Sequence, residues 1–353
     1  MKTKLLLLFM LFTSMAMAQN YAKIDELFAP YAGENPGAAL AIVKDGKIVY
    51  SQSYGLSELE SKTKVNLNTN FRLASVSKQF TAAAILQLIG KGKLNLQTTL
   101  SDCFPELPAY AKGISIQQLL NHTSGILDYD DVIDETIGGA QLADQDVVRA
   151  CKAFTKTYFE PGSRYRYSNT AYVLLGLIIE KYSGEHYPAY LSKHLFRPLK
   201  MNGSIAYVKD VNTVKDRAYG YAEASGGWIR KDQSSTSATL GDGGIYSNIN
   251  DLFKWEQALY TDQILPRSTW ELAFAHQKLN NGAEIDYGFG WHLKKEDTGM
   301  PVVYHTGSTT SFRNVIYRIP SDHFSIIILT NRNTPKEMDM VKMAENVRRA
   351  YLN

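Results

Sequence analysis

The sequence predicts an α/β protein of the α+β type, with an antiparallel sheet flanked by helices and an inserted, mostly helical lobe. Two observations lead to this prediction. Strand-like segments lie near both ends of the 353-residue chain, whereas apolar residues at helical spacing dominate its middle. If strands from both ends share one sheet, the middle becomes a second lobe, and the cleft between the lobes is a natural ligand site.

The individual elements follow from periodicity and from turn residues. Ala38 to Tyr54 contains two strand-like runs separated by Asp45-Gly46, which predicts a β-hairpin. Three further strands are predicted near the end of the chain, at Val302–Thr306, Arg313–Ile319 and Phe324–Thr330. Helices are predicted at Tyr21–Tyr31, Phe80–Ile89, Ile116–Leu120, Tyr172–Tyr182, Asn250–Tyr260 and Pro335–Leu352.

The N-terminus has the pattern of a signal peptide. Lys2 and Lys4 are followed by an unbroken apolar run from Leu5 to Phe12 and by Ala16-Met17-Ala18, a cleavage site of the A-x-A type. We therefore expect an exported protein, periplasmic or extracellular, that begins near Gln19. No later stretch has the roughly eighteen apolar residues of a transmembrane helix, so we expect no stable membrane anchor.

Residues 19–353 are predicted to form a single domain, with an α/β lobe at about 20–75 plus 285–353 and a mostly helical lobe at about 76–284. The whole chain has a formal charge of +3, and loss of two lysines with residues 1–18 leaves 36 basic against 35 acidic residues, or +1. This balance gives no electrostatic reason to expect nucleic acid or membrane partners.

Metal and cofactor motifs are missing from the sequence. It contains no CxxC, HExxH, P-loop or GxGxxG pattern, and the glycines of Gly241-Asp242-Gly243-Gly244 predict a tight turn, so we expect no metal and no cofactor. Cys103 and Cys151 are the only cysteines. Export makes a disulfide possible, but two cysteines in so long a chain are not a disulfide framework, and we favour unpaired, buried residues.

Ser75-Val76-Ser77-Lys78 is the first candidate for chemistry. Residues three apart at the start of a helix share a face, and a desolvated lysine there can accept a proton from serine near neutral pH. Ser61-Lys62-Thr63-Lys64 has the same spacing but lies in a polar stretch, whereas Ser75 precedes the apolar run FTAAAILQLI. The alternative is that Ser75 caps the helix and Lys78 extends along the surface.

Two further motifs contain groups that move protons or bind substrates. In Tyr167-Ser168-Asn169, a phenol can relay a proton and an amide can bind a carbonyl group. Tyr246-Ser247-Asn248 repeats this triplet, and either one can be a capping turn. His305-Thr306-Gly307 is predicted at a strand end, where glycine allows a ligand to approach the backbone, although a lone histidine there can equally be structural.

Taken in order, S-x-x-K, Y-x-N and H-T-G resemble the three motifs of the penicillin-recognising serine hydrolases. That family includes class C β-lactamases, low-molecular-weight penicillin-binding proteins, D-alanyl-D-alanine carboxypeptidases and related esterases. The segments FRLASVSKQFTAAAILQLIGKGKLNL, ISIQQLLNHTSGI, FEPGSRYRYSNTAYVLLGLIIE, GDGGIYSNINDLFKW and YGFGW are also similar to that family, and the likeness covers nearly all of the mature chain.

The resemblance implies catalytic roles for residues of the first two motifs. Ser75 is implied as the nucleophile, Lys78 as its proton partner, and Tyr167 as general base and acid. The backbone N–H groups of Ser75 and Ser308 are implied as the oxyanion hole. This set is typical of acyl transfer through a covalent serine intermediate.

Substrate contacts are also implied by the resemblance, at Asn169, His305, Thr306 and Gly307. His305 stands where class C β-lactamases have lysine, which resembles the D,D-peptidase and esterase branches more closely. A histidine is largely neutral near pH 7, so a permanent charge for a substrate carboxylate is weaker here. Ser311 stands where a glycine is expected before Phe312, which bears on the shape of the substrate strand.

The leading functional hypothesis is hydrolysis of a D-Ala-D-Ala-like peptide or a related amide, with a small molecule or a peptide, including a peptidoglycan-derived one, as the partner. A carboxylesterase or a weak class C-like β-lactamase uses the same residues, so the motifs leave these alternatives open. A non-catalytic penicillin-binding sensor is the alternative from another class.

Overall fold

The computed structural model describes residues 20–133, 141–296, 299–335 and 338–352. The predicted signal peptide, residues 1–18, lies outside these ranges. The helices are α1 20–28, α2 Lys78–Gly90, α3 Leu100–Cys103, α4 Ile116–Leu120, α5 Tyr129–Val132, α6 Asp144–Ala153, α7 Asn169–Ser183, α8 Tyr187–Leu191, α9 Ile249–Ala258, α10 Arg267–Ala273 and α11 Met340–Leu352.

The long strands lie near the two ends of the chain, and the strands between them are short. They are β1 Ala38–Lys44, β2 Lys47–Tyr54, β3 Leu56–Glu58, β4 Thr63–Lys64, β5 Phe71–Arg72, β6 Ile205–Ala206, β7 Tyr221–Ala224, β8 Gly227–Arg230, β9 Ile245–Ser247, β10 Gln277–Lys278, β11 Glu284–Ile285, β12 His292–Lys295, β13 Pro301–Thr309, β14 Phe312–Ile319 and β15 Phe324–Thr330.

A six-stranded antiparallel sheet, in the order β12-β13-β14-β15-β1-β2, forms the centre of the protein. Strands from the two ends of the chain meet where β1 pairs with β15, from Ala38 opposite Thr330 to Lys44 opposite Phe324. The predicted hairpin is present as β1 and β2. Asp45 and Gly46 have φ of +49° and +74°, values that suit an Asp-Gly turn. The prediction of one antiparallel sheet built from both termini is confirmed.

Both faces of this sheet are covered. On β1, Ala39 and Ala41 belong to the core shared with the helical middle of the chain, whereas Leu40 and Ile42 pack with the terminal helices α1 and α11. Because neighbouring residues of a strand point to opposite faces, burial on both sides requires an apolar residue at every position. This explains why β1 has a continuous apolar run rather than an alternating pattern.

The helical middle of the chain is organised around α2 and α7, which pack against each other. A turn containing Gly241 crosses α7 closely, because a Cβ atom added to Gly241 would lie 2.2 Å from the backbone oxygen of Tyr172. Only a residue without a side chain permits this approach. The turn thereby brings Asp242 against the first residue of α2, Lys78, whose amine it contacts.

The structure differs from the sequence prediction at several element boundaries. Strand β13 continues to Thr309, so Gly307 lies within the strand rather than at its end. Helix α11 starts at Met340 rather than near Pro335, because Asp339 Oδ1 accepts hydrogen bonds from the amides that open the helix. The small sheets β5-β9-β6 and β7-β8 were not predicted, since strands of two to four residues are too short to show alternation.

Three further observations bear on the expectations from composition. Cys103 and Cys151 are both buried and unpaired. Within the described ranges, no helix is long and apolar enough to span a bilayer. The same part of the chain holds no group of three or more histidine, cysteine, aspartate or glutamate residues arranged to bind a metal ion.

Candidate active site

Ser75 lies in a 3₁₀ turn, Ala74–Ser77, that leads directly into α2. The turn is bound to its surroundings on one side by Ser77, whose hydroxyl accepts a hydrogen bond from Ile245 N at 3.2 Å. Ala74 has a φ of +50°, an uncommon conformation for a residue with a side chain. Ser75 is half-buried, so its hydroxyl stands at the surface of a cavity while the rest of the turn is held in the core.

Strand β13 packs directly against this turn. A Cβ atom added to Gly307 would lie 2.0 Å from the backbone oxygen of Leu73, which precedes the turn. The sequence predicts the close approach of a ligand at this glycine, whereas the segment that approaches its Cα is the protein's own backbone. Gly307 therefore allows β13 to lie beside Ser75, and Ser308, the next residue, lines the same cavity.

Lys78 is fully buried and its amine is surrounded by three oxygen atoms. Nζ lies 3.0 Å from Ser75 Oγ, 2.8 Å from Asn169 Oδ1 and 2.9 Å from the backbone oxygen of Asp242. The last two are carbonyl oxygens, which only accept hydrogen bonds. A neutral amine has two N–H donors and one lone pair, so these two acceptors use both donors and leave the lone pair for the hydroxyl of Ser75.

The charge state of Lys78 is set by two opposing effects. Burial lowers the pKa of Lys78 to about 8, and the carboxylates of Asp242, Asp128 and Asp130 counteract part of that shift. Desolvation is thus the larger effect, because removing an ammonium group from water is costly even with carboxylates near it. A substantial fraction of Lys78 is neutral slightly above neutral pH.

Asn169 is held in place by a cluster of acidic residues. Its Nδ2 donates a 2.6 Å hydrogen bond to Asp130 Oδ2, and its backbone N–H donates a 2.7 Å bond to Asp128 Oδ2. Ser168 caps the helix that Asn169 begins, through a 3.2 Å bond accepted from Ala171 N. These contacts orient the amide oxygen of Asn169 toward Lys78.

Tyr167 lies beside the same amine. Lys78 Nζ is 4.9 Å from the centre of its ring, and its hydroxyl oxygen is buried without a hydrogen-bond partner among the described residues. Burial raises the pKa of Tyr167 above its usual value, and the nearby Ser75 hydroxyl opposes that shift. Tyr167 therefore keeps its proton at neutral pH, where Lys78 is the more easily deprotonated of the two.

His305 is buried, and both ring nitrogens have protein partners. Nδ1 lies 2.7 Å from the backbone oxygen of Thr306, and Nε2 lies 2.9 Å from the hydroxyl of Tyr287. Because Nδ1 faces a carbonyl oxygen, it holds the proton, and Nε2 accepts from Tyr287. Burial, together with the nearby His292 and Lys78, holds the pKa of His305 well below its usual value, so the ring is neutral.

A cavity of about 350 Å³ opens beside Ser75. Of the residues implied by the motifs, Ser75, Asn169 and Ser308 line it, whereas Lys78, Tyr167, His305, Thr306 and Gly307 do not. The remaining lining residues are polar in large part and comprise Arg72, Ala74, Tyr129, Asp130, Ser234, Thr236, Thr239, Asp242, Gly243, Thr309 and Thr310.

Two carboxylates give this cavity an acidic side. Asp242 is 5% exposed, and one of its two carboxylate oxygens, Oδ2, accepts a hydrogen bond from the Tyr129 hydroxyl at 2.8 Å. The other oxygen, Oδ1, has no partner among the described residues. Burial, partly offset by the hydrogen bond from Asn169, raises the pKa of Asp130 to about 6, and the negative charge of Asp242 adds to that rise.

The repeated motifs occupy unrelated surroundings. The hydroxyl of Ser61 is exposed and bonded to Glu58 at 2.6 Å. The hydroxyl of Tyr246 is buried and accepts a 2.9 Å hydrogen bond from Arg217, while Asn248 caps α9 through Asp251 N. Among the residues that the structure describes, neither repeat has a lysine amine within hydrogen-bonding distance of its hydroxyl, and neither lines the cavity beside Ser75.

Comparison with known proteins shows a match to one protein family over nearly the whole chain. The family described as "Beta-lactamase" matches residues 24–350, which is nearly all of the described chain. The chain belongs to the β-lactamase family. It is a serine hydrolase, as the sequence motifs predicted.

Individual members of the β-lactamase family are similar over most of this chain. Penicillin-binding protein 4* of Bacillus subtilis (strain 168) is 34% identical over 349 residues, covering 94% of this chain and 77% of that protein. The D-aminopeptidase of Brucella anthropi is 29% identical over 314 residues and covers 86% of this chain, which spans 57% of its length. The structure of the octameric penicillin-binding protein homologue from Pyrococcus abyssi superimposes with a TM-score of 0.80 at 26% identity, covering 95% and 77% of the two chains.

The three sequence motifs of this β-lactamase-family chain converge in space, but four residues of the site were missed. They are His122, Asp128, Asp130 and Asp242. Three of them lie in the segment NHTSGILDYDD after α4, where a dense run of polar residues follows a short helix. That run was the available signal. Asp242 was interpreted only as part of a glycine turn, because nothing local indicates which side chain faces the turn.

Proposed function

We propose that this serine hydrolase forms an acyl-enzyme on Ser75, with Lys78 as the base. The observation that supports this most directly is the buried amine of Lys78, 3.0 Å from Ser75 Oγ and with its pKa lowered to about 8. The neutral amine takes the proton of Ser75 as Oγ bonds to the substrate carbonyl carbon. The backbone N–H groups of Ser75 and Ser308 stabilise the resulting oxyanion.

Tyr167 completes the proposed reaction as the acid. Its phenol is protonated at neutral pH, so it donates a proton to the leaving group as the bond between the carbonyl carbon and that group breaks. Lys78, now an ammonium, returns a proton to Tyr167, and water later attacks the acyl-enzyme by the reverse transfers. The neighbouring positions of the amine and the phenol support this division of roles.

For the substrate, we propose D-Ala-D-Ala-like peptides or related amides. The edge of β13 supports this proposal, since its pairing with β12 ends at Tyr304 opposite His292. Beyond that point, the described residues leave the edge of Thr306 to Thr309 without a neighbouring strand, and an extended peptide can add there. A substrate of this class comes from peptidoglycan, and an esterase or a weak β-lactamase remains the alternative on the same residues.

A substrate panel tests this proposal. The panel contains a diacylated D-Ala-D-Ala tripeptide, p-nitrophenyl esters and nitrocefin, each assayed with the natural chain and with Ser75→Ala. We expect release of D-alanine that is lost in Ser75→Ala. Turnover of esters alone would replace the peptide assignment with the esterase one, and turnover that persists in Ser75→Ala would reject the mechanism itself.

A second candidate substrate is an amide with a free amino group next to the scissile carbonyl. Asp130 favours it, because this exposed carboxylate lines the cavity beside Ser75 and attracts an ammonium group. The D-aminopeptidase among the relatives is in keeping with this candidate. Hydrolysis of D-alanine p-nitroanilide but not of its N-acetyl form would support it, and the opposite preference would reject it.

We also propose that the protein acts outside the cytoplasm after removal of residues 1–18. The positive start, the apolar run and Ala16-Met17-Ala18 support export. N-terminal sequencing of protein from the extracytoplasmic fraction tests this proposal, with Gln19 or a residue within one or two positions expected first. A cytoplasmic protein that retains Met1 would reject it.

A further inference from the structure

His122 lies in the loop after α4 and holds the chain on both sides of Tyr167. Its backbone oxygen accepts a hydrogen bond from Arg166 N at 3.0 Å, and its ring Nδ1 accepts one from Ser168 N at 3.1 Å. The ring of His122 also packs on the ring of Tyr167, with centroids 4.2 Å apart and planes inclined by 34°. One residue thus contacts the preceding residue, the following residue and the side chain of Tyr167.

The chemical state of His122 suits this holding role. The residue has no exposed surface, and burial, with Lys78, His305 and His292 nearby, holds its pKa well below the usual value. The ring is therefore neutral. Because Nδ1 accepts from Ser168 N, the proton is on Nε2, which has no hydrogen-bond partner among the described residues. The ring acts as a hydrogen-bond acceptor and a packing surface.

Tyr167 depends on such support because its own hydroxyl makes no well-aligned hydrogen bond, although the half-buried hydroxyl of Ser75 lies near it. In the described part of the chain, Oη of Tyr167 has no hydrogen-bond partner that would hold it near Ser75 and Lys78. Its position is consequently determined by the backbone of residues 166–168 and by the rings around it. His122 contributes to both, through two backbone hydrogen bonds and through its ring.

We propose that His122 is a positioning residue for acylation, which places the hydroxyl of Tyr167 by fixing the backbone on either side of it and packing on its ring. The inference rests on the proposed role of Tyr167 in proton transfer. His122 touches neither the nucleophile nor the cavity. Its ring also packs on Tyr172 and Tyr287, but Tyr167 is the residue that it holds by the backbone on both sides, so we expect its effect on the reaction to pass through Tyr167. A misplacement of about 1 Å in a reacting group can cost on the order of a hundredfold in rate.

Substitutions of His122 distinguish the effect of the hydrogen bond from Ser168 N to His122 from the effect of the space that the His122 ring fills. His122→Leu removes the acceptor for Ser168 N but also places leucine at a φ of +61°, so His122→Gly, which accepts this φ without strain, is measured beside it. We expect the acylation rate constant to fall about 10- to 100-fold in both variants, with little change in KM. In His122→Asn, the amide oxygen stands close to where Nδ1 was, and asparagine tolerates the φ of +61° at this position. We expect His122→Asn to retain acylation to within a few-fold. An equal loss in His122→Asn would overturn the inference.

A double-mutant cycle with Tyr167→Phe decides whether the effect passes through Tyr167. Acylation is followed with a fluorescent penicillin, whose ring nitrogen must take up a proton as the amide bond breaks. If His122 acts through the phenol, His122→Leu has almost no further effect in the Tyr167→Phe background. Independent, multiplying losses would reject the inference while leaving the proposed mechanism intact. A Tyr167→Phe variant with full activity would reject the mechanism first.

Folding is controlled for in two ways. His194→Leu removes a histidine that bonds to Glu185 at 2.7 Å and contacts no motif residue, and its acylation rate should be unchanged. If His122→Leu does not fold, the cycle is repeated with His122→Gly, since glycine accepts the positive φ without strain. His122→Gly must then show the same non-additive loss with Tyr167→Phe, and an additive loss would overturn the inference.

Discussion

At the scale of single residues, the protonation of Lys78 governs how the site responds to pH. The amine becomes a base only after it loses its proton, which burial allows at about pH 8. We expect the acylation rate to rise about tenfold per pH unit below pH 8 and to level off above it. Stopped-flow acylation from pH 5.5 to 9.5 measures this profile.

Asp130→Asn tests the cause of that profile. The charge of Asp130 raises the pKa of Lys78, so its removal lowers this pKa, and the rising limb moves to lower pH. The control is Asp131→Asn, because Asp131 lies next to Asp130 in sequence but is bound at the surface to Arg166. A shift toward higher pH in Asp130→Asn, or an equal shift in both variants, would show that another group controls the limb.

Ser75 and Ser61 make a matched pair for labelling. A serine-reactive fluorophosphonate should add one label to the natural chain and to Ser61→Ala, and none to Ser75→Ala, because only Ser75 has a buried amine beside its hydroxyl. Intact-mass measurement of the three proteins checks this. A labelled Ser75→Ala protein would show that the nucleophile lies elsewhere.

Tyr167 and Tyr246 make a second pair. We expect Tyr167→Phe to lower the acylation rate about 10²- to 10⁴-fold, the usual contribution of a positioned acid or base. Tyr246→Phe loses a hydrogen bond from Arg217 that is not part of the site, so its acylation rate should stay near that of the natural chain. Pre-steady-state kinetics separates acylation from the later step, and equal losses in the two variants would contradict the assignment.

At the scale of elements, the site depends on how closely β13 lies against the turn of Ser75. Gly307→Ala adds a Cβ atom where the backbone oxygen of Leu73 is only 2.0 Å away, so the strand and the turn must separate. We expect a loss of about 1–3 kcal/mol in the free energy of unfolding and slower acylation. Urea unfolding and the acylation assay measure the two effects.

Gly90→Ala is the control for that substitution. Gly90 ends α2, and a Cβ atom there meets nothing within 4 Å, so neither stability nor acylation should fall. We infer that the close approach of β13 to the turn places Ser308 beside Ser75. Equal stability and equal activity of Gly307→Ala and Gly90→Ala would contradict this inference.

At the scale of the whole molecule, a buried ion pair joins the central sheet to the helical middle of the chain. Arg318 on β14 and Glu256 on α9 are 1% and 0% exposed, and their charged groups are 3.5 Å apart. Glu256→Gln leaves the guanidinium buried and uncompensated, so we expect the free energy of unfolding to fall by about 3–5 kcal/mol. Thermal and urea unfolding measure this loss.

Lys62→Ala provides the comparison at the surface. Its partner Glu34 lies 2.6 Å away, but both side chains are mostly exposed, and water replaces the lost contact. Unfolding should therefore be unchanged. A Glu256→Gln variant that unfolds like Lys62→Ala would show that this ion pair contributes little to joining the two halves of the molecule.

The sequence alone was sufficient for the main elements and for the three motifs. Apolar periodicity and turn residues predict the β1-β2 hairpin, α4 with its bounds, and β15, because these depend on neighbours in the chain. The serine, lysine and tyrosine of the candidate site were also found, since each motif is local and all three occur in a recognisable order. The family assignment followed from that order.

Only the tertiary structure decided which groups surround the amine of Lys78 and which protonation state they favour. Asn169 and Asp242 reach its amine from 91 and 164 residues away in sequence, and burial lowers its pKa through packing of the whole lobe. The same holds for His122, whose ring supports Tyr167 from a different loop. Desolvation and long-range contacts are properties of the packed chain, so no local pattern records them.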